Sequence, residues 1–329
     1  MRSRKIQTKQ GGFIVVVVLC MVMMLSVLLL GFHYKARANL HSVDRFHKSE
    51  QALHCARAGL HIAIAAFQNK PDSQTNKRWL SLFSGKNTFT VGEGRCTITI
   101  SEETGKLNVN FLKDKSGKLN RVGIDRVLRL FDLLNQQKDT EPKISYGLVP
   151  SIIDWIDSDE QMTYLPFIRY EARGAESSYY NQLKPPYSCK NGLLETTEEL
   201  LLVKGMTPDV FGRLSGYLTV YGDDKININY APTLVLRSLS EEMDAALAQL
   251  IVDHRKLKPF ESIAELRDLP GMRDSIYNTI RRSATVKPTS DHYQIISRGS
   301  VGQLSRTVYA ILNKNVATKN VNMILYKEL

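Results

Sequence analysis

The sequence is poor in the residues that define several classes of protein. Only 4 of its 329 residues are cysteines, which is too few for a small disulfide-stabilised scaffold. It has 20 glycines and 11 prolines, and 43% of its residues are hydrophobic, which excludes collagen-like, low-complexity and wholly disordered chains. The length suits one large or two medium folded domains.

Sequence signatures of catalysis are also missing. The chain has no Walker loop, no Gly-x-Ser-x-Gly elbow and no Cys-x-x-Cys pair. Most histidines lie between positions 33 and 61, which leaves His254 and His292 as isolated candidates without a paired nucleophile. We therefore expect a protein that is not an enzyme.

A long apolar run follows a short basic leader. Residues Phe13–Phe32 contain no charged residue, amide or proline. At about 1.5 Å per residue this run reaches roughly 30 Å, which predicts a transmembrane helix. The four basic residues before it predict a cytoplasmic N-terminus, so the bulk of the chain is expected outside the membrane. A cleaved secretory signal is the alternative, with Ala36–Ala38 as its cleavage site, although the apolar run is longer than such signals usually have.

The pair Gly11-Gly12 before this run resembles the leader of type IV pilins and type II secretion pseudopilins. The resemblance implies a leader over residues 1–12, cleavage by a prepilin peptidase between Gly12 and Phe13, and N-methylation of Phe13. In that group a glutamate stands at the fifth mature position, where this chain has Val17. A subunit without it buries no unpaired carboxylate when nothing is stacked above it, which favours a tip subunit over a repeating fibre subunit.

Periodicity divides the rest of the chain. Helical spacing of apolar residues predicts a transmembrane and stalk helix over 13–70. Alternating residues predict a pilin-like antiparallel sheet from 71–112 plus 288–313. The intervening 113–287 is predicted to be an inserted α domain, and 314–329 a tail in which Ile324–Tyr326 is a candidate edge strand. The fold class is therefore α+β.

The inserted domain contains internal repeats. Residues Glu199–Met206 realign 66 positions later with Glu265–Met272, and Lys106–Asn110 is echoed by Lys225–Asn229. The first pair resembles helix-hairpin-helix units, some of which bind DNA. The net charges, −2 over 195–220 and +3 over 253–287, are a poor match to a phosphate-binding pair. We therefore favour packing modules.

One loop is rich in acids. Residues 154–180 have a net charge of −4, and hard oxygen ligands in a loop suit calcium, although a solvated acidic loop fits the same pattern. Of the cysteines, Cys96 and Cys189 would face an oxidising compartment, where they are candidates for a disulfide.

The ordered set of motifs resembles one family. The leader, Asp154–Asp159, Gly174–Glu176, Pro185–Tyr187 and the Glu199–Met206 hairpin are together similar to general secretion pathway protein K, the minor pseudopilin family of type II secretion. The resemblance implies a pilin-like fold with a large inserted α domain and a calcium ion in the acidic loop. The motif-matched ligands are Asp157, Asp159 and Glu176, with Asp154 as a fourth.

The function implied by the resemblance is placement at the tip of the type II secretion pseudopilus. Its partners would be the I and J minor pseudopilins, other pseudopilins, prepilin peptidase and the inner membrane, and no nucleic acid is expected. The resulting tip complex would start pseudopilus assembly and support protein export. Two alternatives stay open from the residues: a membrane-anchored DNA receptor of a competence system, and a minor pilin of a type IV pilus.

Overall fold

The computed structural model describes residues 11–69, 87–114, 116–137, 142–168, 172–287, 291–314 and 320–329. Eight α-helices are present in these ranges: α1 Gly11–Asn69, α2 Arg121–Asn135, α3 Leu148–Ile156, α4 Ser177–Tyr180, α5 Pro208–Leu214, α6 Thr233–Ser238, α7 Ala245–Leu257 and α8 Asp274–Ile280. Three 3₁₀ helices accompany them, at Val109–Phe111, Thr197–Leu202 and Ile263–Asp268. The strands are β1 Asn87–Val91, β2 Gly94–Glu102, β3 Leu107–Asn108, β4 Leu218–Thr219, β5 Ile226–Asn227, β6 Ala284–Thr285, β7 His292–Val301, β8 Leu304–Lys314 and β9 Val321–Glu328.

Helix α1 has two halves of different character. Nearly every residue of its first half from Phe13 onward is exposed, and the helix over Phe13–Gln68 is long and apolar enough to cross a membrane. Its second half lies on the sheet, where small residues such as Ala52 and Ala56 are fully buried. At Gly299 of β7 a side chain would overlap the backbone of α1, so only glycine permits this close approach.

The sheet has five antiparallel strands in the order β1-β2-β7-β8-β9. Alternate residues of β8 point to opposite faces, so Val308, Ala310 and Leu312 pack on α1 while Tyr309 and Ile311 join the core of the inserted domain. The candidate edge strand in the tail is confirmed as part of β9, which pairs with β8.

The inserted domain leaves the sheet from β2 and returns at β7, which are neighbours in the sheet. Its boundary differs from the predicted one. Residues Leu107–Asn108 were assigned to the pilin-like sheet, but they form β3, which pairs in parallel with β4 inside the inserted domain. The alternating pattern identified a strand there, and a partner more than a hundred residues away decides which sheet it joins. The predicted sheet residues 71–86 lie outside the described ranges.

Both predicted hairpins are present. In each, a 3₁₀ helix turns through a glycine with positive φ into a short α-helix: Gly205 (φ 86°) precedes α5, and Gly271 (φ 85°) precedes α8. One face of these helices is buried, with Leu200, Leu214, Leu266 and Ile280 fully inaccessible. The fold class predicted from the sequence is confirmed.

Candidate metal centre

The end of α3 positions two carboxylates. Asp154 lies in its last turn and Asp157 caps its C-terminus, and a spacing of three places both side chains on one face of the helix. Asp154 is fully inaccessible and Asp157 is 8% exposed. The helix is buried along its whole length, which carries these two acids into the protein interior.

The third carboxylate comes from the segment that precedes α4. Glu176 is 3% exposed, and its side chain does not cap the helix that it begins. Two residues earlier, Gly174 lies so close to Asp154 that any side chain there would overlap the Asp154 carboxylate and the Pro150 carbonyl oxygen. Glycine is therefore required for this segment to reach α3. One oxygen of each of Asp154, Asp157 and Glu176 lies within 4.8 Å of the other two.

Among the residues that the structure describes, several oxygens of this cluster have no hydrogen-bond partner. They are Oδ2 of Asp154, Oδ1 of Asp157 and both carboxylate oxygens of Glu176, and all are buried. Burying ionised carboxylates without partners is costly unless a cation neutralises them. The pKa values reflect this cost: burial, followed by the charge of the neighbouring acids, raises the pKa of Glu176 to about 8, and burial raises that of Asp154 to about 6. Burial also raises the pKa of Asp157, although Lys113 opposes the shift.

Other contacts fix the positions of the ligands without filling the cluster. The other carboxylate oxygen of Asp154, Oδ1, accepts a hydrogen bond from the Thr163 backbone N–H at 2.8 Å. Lys113 forms an ion pair with Asp157 through Oδ2, which leaves Oδ1 directed into the cluster. The aromatic rings of Trp155 and Tyr180 pack edge to face next to the centre, with centroids 5.0 Å apart.

The orphaned oxygens fit a hard divalent cation. Three buried carboxylates supply oxygen ligands, and the segment between Gly174 and Glu176 is shaped around the Asp154 carboxylate. Oxygen ligands in flexible geometry suit calcium better than a transition metal. With Lys113 as the nearest cation, the three acids keep a charge of −2 when ionised, which one divalent ion would neutralise.

The structure brings together three of the four predicted ligands. Asp154, predicted as the fourth ligand, belongs to the cluster together with Asp157 and Glu176. Asp159 lies outside the cluster: its Oδ1 accepts the Gln161 N–H at 2.8 Å, and its Oδ2 is 3.8 Å from the Lys113 ammonium. Sequence reasoning missed Lys113, because it contacts Asp157 from 44 positions away and no local motif marks it.

The predicted disulfide is not formed. Cys96 and Cys189 are both free thiols. Cys96 belongs to the core between α1 and the sheet, and Cys189 to the core of the inserted domain, where its thiol lies 3.5 Å from the Asp154 carbonyl oxygen. Burial raises the pKa of the Cys189 thiol to about 12, so it is unreactive at neutral pH. The disulfide was predicted because both cysteines would share a compartment, but the two thiols lie in different hydrophobic cores.

The predicted processing residues lie at the beginning of the described chain. Gly12 and Phe13 are in the first turn of α1, and the Phe13 side chain is exposed. Residues 1–10 of the predicted leader lie outside the described ranges.

Comparisons with known proteins identify the family. The family model "Type II secretion system (T2SS), protein K" matches residues 105–223, and a second model of the same description matches residues 226–287. The type II secretion system protein K of Aeromonas hydrophila is 22% identical over 275 residues, covering 81% of this chain and 78% of the relative. That of Pectobacterium carotovorum is 26% identical over 219 residues, covering 62% of this chain and 64% of the relative.

A solved structure has the same fold. It is the GspK-GspI-GspJ complex from the type 2 secretion system of enterotoxigenic Escherichia coli, and one of its chains matches with a TM-score of 0.65 at 16% identity. The match covers 88% of this chain and 99% of that chain. Since the two family models together cover more than half of the sequence, the chain belongs to the type II secretion system protein K family.

Proposed function

We propose that the chain is a minor pseudopilin at the tip of the type II secretion pseudopilus, with a role in assembly rather than catalysis. Membership of the protein K family carries this proposal. The complex that shares the fold contains two further proteins, GspI and GspJ. The partners proposed here are the corresponding I and J pseudopilins, and the resulting tip complex would start the fibre and support protein export.

The exposed half of α1 would serve as both anchor and assembly surface. Its apolar run would cross the inner membrane, with the N-terminus in the cytoplasm and the folded part in the periplasm. Prepilin peptidase would cut between Gly12 and Phe13, and Phe13 would then be methylated. Beyond the membrane, large apolar residues remain exposed on the helix, including Leu40, Val43 and Phe46. Packing against the helices of other pseudopilins would bury them.

The acidic centre would hold one calcium ion through Asp154, Asp157 and Glu176. Calcium would neutralise this cluster, in which four buried oxygens have no partner among the described residues. These residues join the end of α3 to the segment before α4, so an ion there would fix the local backbone. We propose a structural role for this ion.

The assembly role is tested by secretion in the native host. A strain lacking the gene is complemented with the wild-type chain, with Leu40→Asp/Val43→Asp, or with Ser42→Asp, which adds a charge at an exposed polar position of the same helix turn. We expect the first variant to lose export and copurification with the I and J proteins, and the control to keep both. Full export by the Leu40/Val43 variant would contradict helix packing at this face. Normal export by the deletion strain with loss of twitching would indicate a type IV pilus.

The metal role is tested by thermal unfolding of the full chain in a neutral detergent. At a calcium concentration about a hundredfold above Kd, the ion stabilises by about 2.7 kcal/mol, which corresponds to a Tm increase of about 5 to 10 °C. We expect Asp154→Asn/Glu176→Gln to lose this increase and Asp209→Asn, at an exposed acid, to retain it. An unchanged calcium response in the double variant would contradict the site.

A further inference from the structure

A cavity of about 520 Å³ lies next to the metal centre. The residues just before and within the first half of α3 form one wall, the segments around Tyr164 and Arg173 form a second, and the hairpin turn at Lys204 and Gly205 closes the third. Cavities of this volume are in the range used for small ligands.

The charges lining this cavity are of one sign. Arg173 and Lys204 contribute two cations, and none of the described lining residues is acidic, although the surrounding stretch 154–180 is acidic overall. Within the described residues neither cation forms an ion pair. The Lys204 ammonium donates to the Gly174 carbonyl oxygen at 3.3 Å and lies 5.1 Å from the Tyr179 ring, and the Arg173 guanidinium lies 6.0 Å from the Tyr164 ring. Two lining cations without a carboxylate partner among the described residues favour a carboxylate ligand.

The rest of the lining is suited to a polypeptide. Leu148, Ala172 and the Tyr164 ring give apolar walls, and Ser145 and Ser151 add hydroxyl groups. A mainly apolar cavity with a few placed polar groups recognises an apolar body with a charged handle. We propose that the cavity binds an acidic peptide segment of a partner protein.

The same backbone builds the cavity and the metal centre. Tyr164 and Arg173 pair across an antiparallel bridge, and the adjacent Gly174 N–H donates to the Thr163 carbonyl oxygen at 3.0 Å. The Thr163 N–H in turn donates to Asp154, a ligand of the proposed ion. An ion that fixes Asp154 would therefore fix the wall that carries Arg173, and calcium and peptide should each strengthen binding of the other. This coupling rests on the proposed calcium site, whereas peptide binding by the cavity does not.

The test measures binding of a fluorescein-labelled hexaglutamate peptide to the full chain in a neutral detergent, by fluorescence anisotropy. We expect saturable binding that weakens with salt, and no comparable binding of hexaglutamine. Arg173→Gln/Lys204→Gln should weaken hexaglutamate at least tenfold. Arg281→Gln/Arg282→Gln, which removes the same charge from the exposed end of α8, should change it less than twofold. Arg173→Lys/Lys204→Arg, which keeps the charge, should bind as the wild type.

Several outcomes would overturn the proposal. They are equal binding of both peptides, equal weakening by both charge-removing pairs, or wild-type binding by Arg173→Gln/Lys204→Gln. An unchanged calcium-induced Tm increase in that variant shows that it is folded. Peptide binding that ignores calcium, in a chain that calcium does stabilise, would disprove the coupling alone. Absence of any calcium-induced Tm increase would disprove the metal centre and leave the cavity to be judged by its charge variants.

Discussion

The two hairpin repeats of the inserted domain are each closed by a pair of hydrogen bonds from one asparagine side chain. In the first repeat, the Asn110 side chain donates to the Leu194 carbonyl oxygen and accepts the Leu194 N–H, both at 2.9 Å. In the second, Asn229 makes the same two bonds with Phe260, again both at 2.9 Å. Leu194 and Phe260 are 66 positions apart, the offset of the sequence repeat. We call each of these paired contacts an asparagine lock.

The strands of the two repeats also agree in register. Leu107 and Asn108 of β3 pair in parallel with Leu218 and Thr219, and β5 pairs with β6 at the equivalent positions. The asparagines of β3 and β5 each donate to a carbonyl oxygen just beyond the paired strand, at Tyr221 and Lys287. The sequence similarity therefore corresponds to a duplicated three-dimensional unit.

The repeats differ in what lies between the lock residues. The second repeat places α6 and α7 there, within residues 230–259. The first places α2, α3, α4 and the candidate metal centre there, within residues 111–193. A lock holds both ends of the intervening segment, so a long insertion does not open the unit. The repeat therefore supplies a common scaffold, and the longer segment of the first copy contains the candidate site.

The largest expected effect comes from removing the lock of the second repeat. Asn229→Ala leaves the fully buried Phe260 N–H and carbonyl without their side-chain partner, which should lower the free energy of unfolding by about 3 kcal/mol. Asn110→Ala should cost less, about 2 kcal/mol, because Asn110 is only half-buried. Denaturant unfolding measures both, with the exposed Asn181→Ala as the control. Losses below about 0.5 kcal/mol in both would show that the locks do not stabilise the repeats.

The second prediction concerns the pH dependence of stability. It applies to the first repeat, which contains the acidic cluster. Folding raises the pKa of Glu176 to about 8 and that of Asp154 to about 6, from ordinary values of 4.5 and 3.8. The folded apo protein therefore holds protons that the unfolded chain releases. The stabilisation by these protons is present at low pH and is lost as pH rises from about 5 to 8.

Denaturant unfolding in calcium-free buffer across that range checks this prediction. Stability should fall with rising pH in the wild type, and much less in Asp154→Asn/Glu176→Gln. With calcium present, the ion displaces the protons, so its stabilising effect should grow over the same range. A rise in apo stability between pH 5 and 8 would contradict unpartnered carboxylates at this centre.

The third prediction compares the cost of replacing the turn glycine in each of the two hairpins. A side chain at Gly205 or Gly271 meets nothing within 4 Å, so Ala at either position is opposed only by the positive φ. Each substitution should cost about 1 to 2 kcal/mol, and the two costs should agree. Gly212→Ala inside α5 is the control, with open space and ordinary φ, and should be neutral or stabilising. Unequal costs would show that the turns differ in strain.

The smallest expected effect concerns the capping boxes. Both repeats have one, Thr196 with Glu199 and Ser262 with Glu265, but among the described residues only Glu199 also has an ion-pair partner, the Lys190 ammonium at 2.6 Å. Burial opposes ionisation of Glu199, yet the Lys190 contact and two backbone N–H donors lower its pKa. Gln preserves the capping box.

Glu199→Gln should therefore cost about 0.5 to 1 kcal/mol, and Glu265→Gln close to nothing. Denaturant unfolding at neutral pH compares the two variants. The same cost at both positions would assign the effect to the cap and not to the ion pair.

Sequence periodicity predicted much of this fold. The stalk helix, β2, β7, β8 and both hairpins follow from local patterns, and the 66-residue offset identified the repeats. The role of the asparagines was not predicted, because their partners are more than 30 positions away. Distant partners also explain why β3 was predicted in the wrong sheet and why Lys113 was not predicted at the site. They explain as well why Asp159 was predicted as a ligand. Local spacing identifies which acids are available, whereas the packing of distant segments decides which of them meet.

The entry and exit of the inserted domain through neighbouring strands has a consequence for the order of folding. Ser101 of β2 and Gln294 of β7 share a hydrogen bond of 2.7 Å although 193 positions separate them. Topologically the whole inserted domain is the loop of one β-hairpin. Closing an unstructured loop of that length costs about 5 kcal/mol of chain entropy, and a domain that has already folded brings its two ends together beforehand. The central strands of the sheet should therefore pair late, after the domain that interrupts them has formed its core.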